Sequence, residues 1–186
     1  SVSEKSKIKN RVSEHQQFET IPELLSYQAE KVPDKVALQI KRNEKWVTYT
    51  YRQFEELSNR ITGSLWQNGY RPSDRILLFA DNQPEWGIIY LACAKLGMVI
   101  VPIDRQTPVN EVYALLRFTS ARAIFTTSEL IERLEQAKDE LTSGINQIIE
   151  IRDIQAECER MEDAIGSSIE LPVVEIKPDD ITSIIF

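Results

Sequence analysis

Short apolar runs alternate along most of the chain with longer segments in which apolar residues recur every three or four positions. The runs are "RILLFA" (75–80), "MVIVPI" (98–103), "ARAIFTT" (121–127), "INQIIEI" (145–151) and "ITSIIF" (181–186). They are rich in β-branched and aromatic residues and show little in–out alternation, as expected of strands covered on both faces. The intervening segments carry helical stripes: Phe54, Leu57, Ile61 and Leu65; Leu130, Leu134, Ala137 and Leu141; Ile154, Cys158, Met161 and Ile165. Strands alternating with helices of this length predict βαβ units, and right-handed crossovers put helices on both faces of a mainly parallel sheet. The fold class expected is therefore α/β. One helical segment, "GIIYLACAKLG" (87–97), is apolar on nearly every side and is predicted to lie between two layers.

Punctuation residues sharpen the boundaries. Thr20 with Glu23 forms a capping-box pattern, with Pro22 in the first turn and Pro33 at the stop. "KVALQIK" (35–41) and "KWVTY" (45–49) predict two short strands around a polar turn at 42–44. Thr50 opens the next helix with Gln53 three residues on, and Gly69 lies just past its end. Asn82 with Glu85 predicts a helix start that runs to near Gly97, and Thr107–Pro108 a cap and first-turn pair for a helix reaching about Thr119. Residues 1–19 are polar and aperiodic, a leader before a partial domain over 20–186.

Composition narrows the class. The chain has 186 residues, 42% hydrophobic and 27% charged, enough for one domain with a real core. Its net charge of −7 speaks against nucleic acid, which needs a concentrated basic face. There is no apolar run of membrane-spanning length and no secretory apolar region in "SVSEKSKIKN". Cys93 and Cys158, far apart in helical segments, are expected to be free thiols of a cytoplasmic protein. The final "DDITSIIF" (179–186) reads as a strand with no turn, cap or polar tail after it, an apolar edge at 184–186 that would pair with another copy of the chain or with a missing continuation.

Few residues offer chemistry. Ligands of open α/β sheets gather beyond the carboxyl ends of strands. Asp81 follows "RILLFA" and Asp104 follows "VIVPI", so both fall at that edge; turn capping explains each of them more simply. The 6 glycines form no phosphate-loop pattern, and one His with two distant Cys cannot build a standard zinc site. His15 lies in the leader, and Ser183 sits mid-strand with no His placed to activate it. The acidic run "QAECERMEDA" (155–164) reads as a solvated helix face, and Trp86 as packing before pocket lining. The residues alone describe a scaffold without a catalytic set.

Several ordered blocks resemble the N-terminal portion of the acyl-adenylate-forming (AMP-dependent synthetase/ligase) superfamily. "IPELLSYQAEKVPDKVAL" is similar to its opening helix and strand, "WVTYTYRQFEELSNRITGSLWQNGYRPSDRI" to its first core motif, and "LACAKLGMVIVPID" to its second. "DDITSIIF" resembles the segment leading into the family's Thr/Ser/Gly-rich phosphate loop, and "DNQPEW" leans to the long-chain fatty acyl-CoA synthetase and fatty acyl-AMP ligase branch. Departures are Gln53 for a usual Glu, Ser73 for a usual Gly, Leu96 and Met98 for small residues, and Arg105 for a common Pro.

The resemblance implies a two-step parent reaction. A carboxylate attacks the α-phosphate of Mg-ATP to give acyl-AMP and pyrophosphate, and a thiol of coenzyme A or of a phosphopantetheine carrier takes the acyl group. It implies a fatty acid or other carboxylate, an acyl carrier protein and the remainder of the parent chain as partners, with peripheral membrane association open to the parent. In the family the phosphate loop and catalytic lysine follow the region covered here. No catalytic, cofactor-binding or metal-binding residue carries over, and no cofactor is expected for the chain itself. Thr50, Tyr51, Gly97, Pro102 and Asp104 match framework motifs. Two alternatives stand beside this expectation: a stand-alone α/β interaction or regulatory module, and an amino-acid adenylation domain.

Overall fold

β3 (Arg75–Phe79) is the strand around which the larger sheet is built. It pairs in parallel with β4 (Val99–Ile103) on one side and β5 (Ala123–Thr126) on the other, and β6 (Gln147–Glu150) pairs in parallel beyond β5. The computed structural model of the chain describes residues 20–136 and 147–151. Before β3 come α1 (Ile21–Lys31), an antiparallel hairpin of β1 (Val36–Arg42) and β2 (Lys45–Thr50), and α2 (Tyr51–Gln67). The remaining helices are α3 (Pro84–Lys95), α4 (Val109–Thr119) and α5 (Ser128–Gln136). The order β4-β3-β5-β6, flanked by helices, confirms the α/β reading.

The missing alternation in the strands has a direct cause. Ile76 and Leu78 point to one face, into a core with Ile61, Leu65 and Ile88. Leu77 and Phe79 point to the other, into a core with Tyr113, Leu116 and Leu130. Both faces are sealed, so Ile76 to Phe79 are buried in succession, and only Arg75 at the start of β3 is exposed. The apolar α3 lies as predicted between layers, touching α1, α2 and β1 on one side and β4 on the other. Cys93 in its centre is a fully buried free thiol, which burial pushes up to about 12.

Capping followed the sequence at α2 and shifted at α3 and α4. Thr50 Oγ1 accepts from Gln53 N at 3.2 Å while Gln53 Oε1 accepts from Thr50 N at 2.8 Å, so Gln53 closes the box that a Glu would. At α1, Thr20 Oγ1 accepts from Glu23 N at 3.4 Å. The predicted start at Asn82 is corrected to Pro84, with Gln83 as N-cap. Proline's fixed φ suits the first helical position, and Glu85 turns away to a stronger partner, described below. Pro108 rather than Thr107 is the N-cap of α4: its ψ of 141° is still extended, so Val109 is the first helical residue, while the Thr107 N–H closes a turn onto Asp104 O at 3.0 Å.

Ser73, a departure from the pattern that the sequence resembles, holds a left-handed φ of 71°, and its N–H donates to Gly97 O at 2.8 Å. A side chain in this region is disfavoured, and glycine relieves it at some cost in unfolded-state entropy. Ser73→Gly is expected to stabilise the chain by about 0.5–1 kcal/mol. A higher urea midpoint at unchanged slope is the expected reading, and a lower midpoint would contradict it. Leu96 and Met98, the larger residues flanking Gly97, are fully buried and act as core filling. The stripe positions Ala137 and Leu141, the helix expected around Cys158, the leader expected to hold His15, and the strand and apolar edge expected at "ITSIIF" with Ser183 lie outside the described residues.

Candidate functional site

The helix after β3 packs on one face of the sheet and the helix after β4 on the other: Ile88 and Ala92 of α3 join the first core, Val112 and Leu116 of α4 the second. Two adjacent parallel strands whose following helices diverge leave a crevice beyond their carboxyl ends, the place where open α/β sheets take ligands. A cleft of about 470 Å³ lies there, lined by Ala80, Asp81, Asn82, Trp86, Pro102, Ile103, Asp104 and Arg105.

Charge in the cleft is largely committed. Arg105 donates from Nη1 to Asp81 Oδ2 at 2.8 Å and from Nη2 to Glu129 Oε1 at 3.0 Å. Its own carbonyl accepts from Arg133 Nη1 at 2.9 Å, which ties α5 to the same loop. Asp81 is therefore an ion-pair partner across the cleft, where the sequence suggested a helix-capping turn. Asp104 does make the expected turn: its Oδ1 accepts from Gln106 N at 2.7 Å. Trp86 serves in both capacities weighed for it. It packs on the core and stacks on Tyr90 with ring centroids 5.4 Å apart, and it also forms a wall of the cleft.

Around the start of α3, next to Trp86 in sequence, lies a polar cluster that sequence reasoning missed. Arg42, at the end of β1, donates to both carboxylate oxygens of Glu85 at 2.7 and 2.6 Å and to Gln83 Oε1 at 3.1 Å. The Tyr49 hydroxyl donates to Glu85 Oε1 at 3.1 Å. Burial alone would raise the Glu85 carboxyl, but the hydrogen bonds and charge of Arg42, with the Tyr49 contact, hold it below its ordinary value. Arg42 Nε is buried without a partner among the described residues. The available signal was an acidic residue opening an otherwise apolar helix; its partner, 43 positions away, carried none.

Of the framework residues, Pro102 and Asp104 meet at the cleft with Asp81 and Trp86. Thr50 caps α2, Tyr51 packs beside the first core, and Gly97, at φ 73°, turns the chain into the opposite end of β4. The lining contains no Ser, Cys, His or Lys, and the described residues hold no group of three His, Cys, Asp or Glu able to bind a metal. No described helix is long and apolar enough to cross a membrane. The crevice offers shape, an aromatic wall and a fixed set of charges.

Known proteins share this architecture. A fatty acyl CoA synthetase of Mycobacterium tuberculosis superposes with a TM-score of 0.73 at 25% identity, over 90% of this chain and 32% of that one. A fatty acyl-adenylate ligase of L. pneumophila, at 18% identity and a TM-score of 0.69, shows the same fold over 90% of this chain and 28% of its own. The fatty acid–[acyl-carrier-protein] ligase ScoC of Streptomyces coeruleorubidus is 29% identical over 68% of the chain and 24% of its own length. A linear gramicidin synthase of Brevibacillus parabrevis is 32% identical over 64% of the chain and 2% of its own length. The chain thus spans a quarter or less of these curated relatives. The AMP-binding enzyme family matches residues 25–186, and with the parallel sheet and its crevice this establishes that the chain belongs to that family.

Proposed function

We propose that the chain is the scaffold part of the large N-terminal domain of an ATP-dependent ligase that activates fatty acids as acyl-adenylates. The observation that carries this is the family match across residues 25–186, supported by relatives named as fatty acid ligases. In this reading a carboxylate oxygen of the fatty acid forms a bond to the α-phosphorus of ATP as pyrophosphate leaves. A thiol of coenzyme A or of a phosphopantetheine carrier then displaces AMP. The crevice at β3 and β4 does not suit a triphosphate. Such a ligand calls for free cationic groups and N–H donors, whereas the lining holds two carboxylates and a guanidinium already engaged by Asp81 and Glu129. The nucleotide chemistry is therefore assigned to parts of the parent other than these residues, with this segment supplying rigid support.

The test is pyrophosphate release from Mg-ATP and a long-chain fatty acid. The 186-residue chain is expected to match a no-protein control, and release above that control would end the proposal of an inactive scaffold. A second reading, amino-acid activation, is favoured by the 32% identity to a gramicidin synthase. Pyrophosphate exchange by the whole parent separates the two: dependence on fatty acids supports the first reading, dependence on amino acids the second.

A further inference from the structure

We propose that Arg42 is a positioning residue for the crevice: reaching from the β1–β2 hairpin, it fixes the turn that sets Trp86 into the cleft wall. This rests on the proposed reading only in taking the crevice as part of the rigid support that this segment gives the parent.

The turn between β3 and α3 is held from outside. Gln83, the N-cap of α3, makes no side-chain capping bond to the helix. Its Oε1 instead accepts from Arg42 Nη2 at 3.1 Å, and its Nε2 donates back to Asp81 O at 3.4 Å. The Trp86 N–H donates to Gln83 O at 3.0 Å. Glu85, directly before Trp86, is gripped by both terminal nitrogens of the same guanidinium. One side chain from another element thus holds the two residues that flank Pro84 and, through them, the start of the helix that presents Trp86.

Stability alone does not call for such an arrangement. A well-packed apolar pair of similar volume commonly stabilises as much as a buried ion pair, because both charges must be stripped of water. The two-pronged fork adds direction: it permits one orientation of the carboxylate, and hence one rotation of the helix's first turn. Lysine, with a single rotatable ammonium, supplies charge without that orientation. The same turn also carries Asp81, the carboxylate paired with Arg105 across the cleft, so Arg42 sets both the aromatic wall and one end of the cross-cleft ion pair.

The experiment labels the 186-residue chain with 5-fluorotryptophan and follows its three resonances, assigned by Trp→Phe variants, by fluorine NMR. Trp66, at the end of α2 with the Arg71 guanidinium 3.7 Å over its ring, is the internal control. In Arg42→Met the Trp86 resonance is expected to shift by more than its linewidth or to split, with Trp66 unchanged. Arg42→Lys, which keeps the charge, is expected to move Trp86 in the same way. A Trp86 signal unchanged in the Lys variant, or a matching change at Trp66, would overturn the proposal. If Arg42→Met does not fold, the Lys variant decides alone. No nucleotide or substrate enters this experiment, so its failure is distinct from a failure of the ligase reading.

Discussion

Glu85→Leu is expected to destabilise the chain by about 3–5 kcal/mol, the usual cost of leaving a buried charge without its partner. Glu85 is 11% exposed and Arg42 22%, so little water can replace the lost carboxylate. The Tyr49 hydroxyl loses its acceptor as well. Urea unfolding followed by circular dichroism gives the value, and a loss below about 1 kcal/mol would place the pair among weak surface bridges. The double variant Arg42→Met/Glu85→Leu is expected to recover much of the loss, since two apolar chains there leave no orphaned charge. Acid has a related effect. The folded-state carboxyl lies below its ordinary value of 4.5, so its stabilisation is complete above that pH and is lost as the pH falls through the lower folded value. Glu85→Leu should therefore show a flatter decline in stability over the same acid range.

Phe125→Ala should be comparably damaging, by about 3–5 kcal/mol, for a different reason. Phe125 is fully buried on β5, which pairs with β3 and β6, and it stands opposite Leu78 and Ile149. Removing its ring leaves a cavity that rigid strands on both sides cannot close. Domains of this size are commonly stable by about 5–15 kcal/mol, so much of the reserve would go. Phe118→Ala is the matched comparison: that ring is 75% exposed, and its removal is expected to change stability by no more than about 0.5 kcal/mol. Equal falls in melting temperature for the two variants would show that burial is not what distinguishes them.

Much of the fold was legible because local patterns and tertiary burial agree. β3 and β4 were readable because both faces are sealed, which writes an unbroken apolar run into the sequence. Thr50 and Gln53 were readable because a capping box is closed by residues three apart. At Asn82 and Glu85 the same spacing misled, because a guanidinium from β1 outcompeted the local amide for the carboxylate. Asp81 and Arg105 were opaque for the same reason: each looks like a turn residue until the carboxyl ends of neighbouring strands bring the pair within 2.8 Å. Spacing records what happens within one helical turn, and the ion pairs of this crevice join residues more than twenty positions apart.

The order β4-β3-β5-β6 also bears on how the chain is made. Synthesis delivers β3 first among these four strands. Each later one then joins an outer flank already in place: β4 on one side, β5 on the other, β6 beyond β5. Among these four strands no pair has to be prised apart to admit a later one. The segment most in need of shelter, "RILLF", leaves the ribosome after the hairpin and α2, whose Phe54, Ile61 and Leu65 belong to the same core as Ile76 and Leu78. Its first cover is therefore already waiting, and the interval in which a naked parallel strand could meet another nascent chain is shortened before β4 arrives.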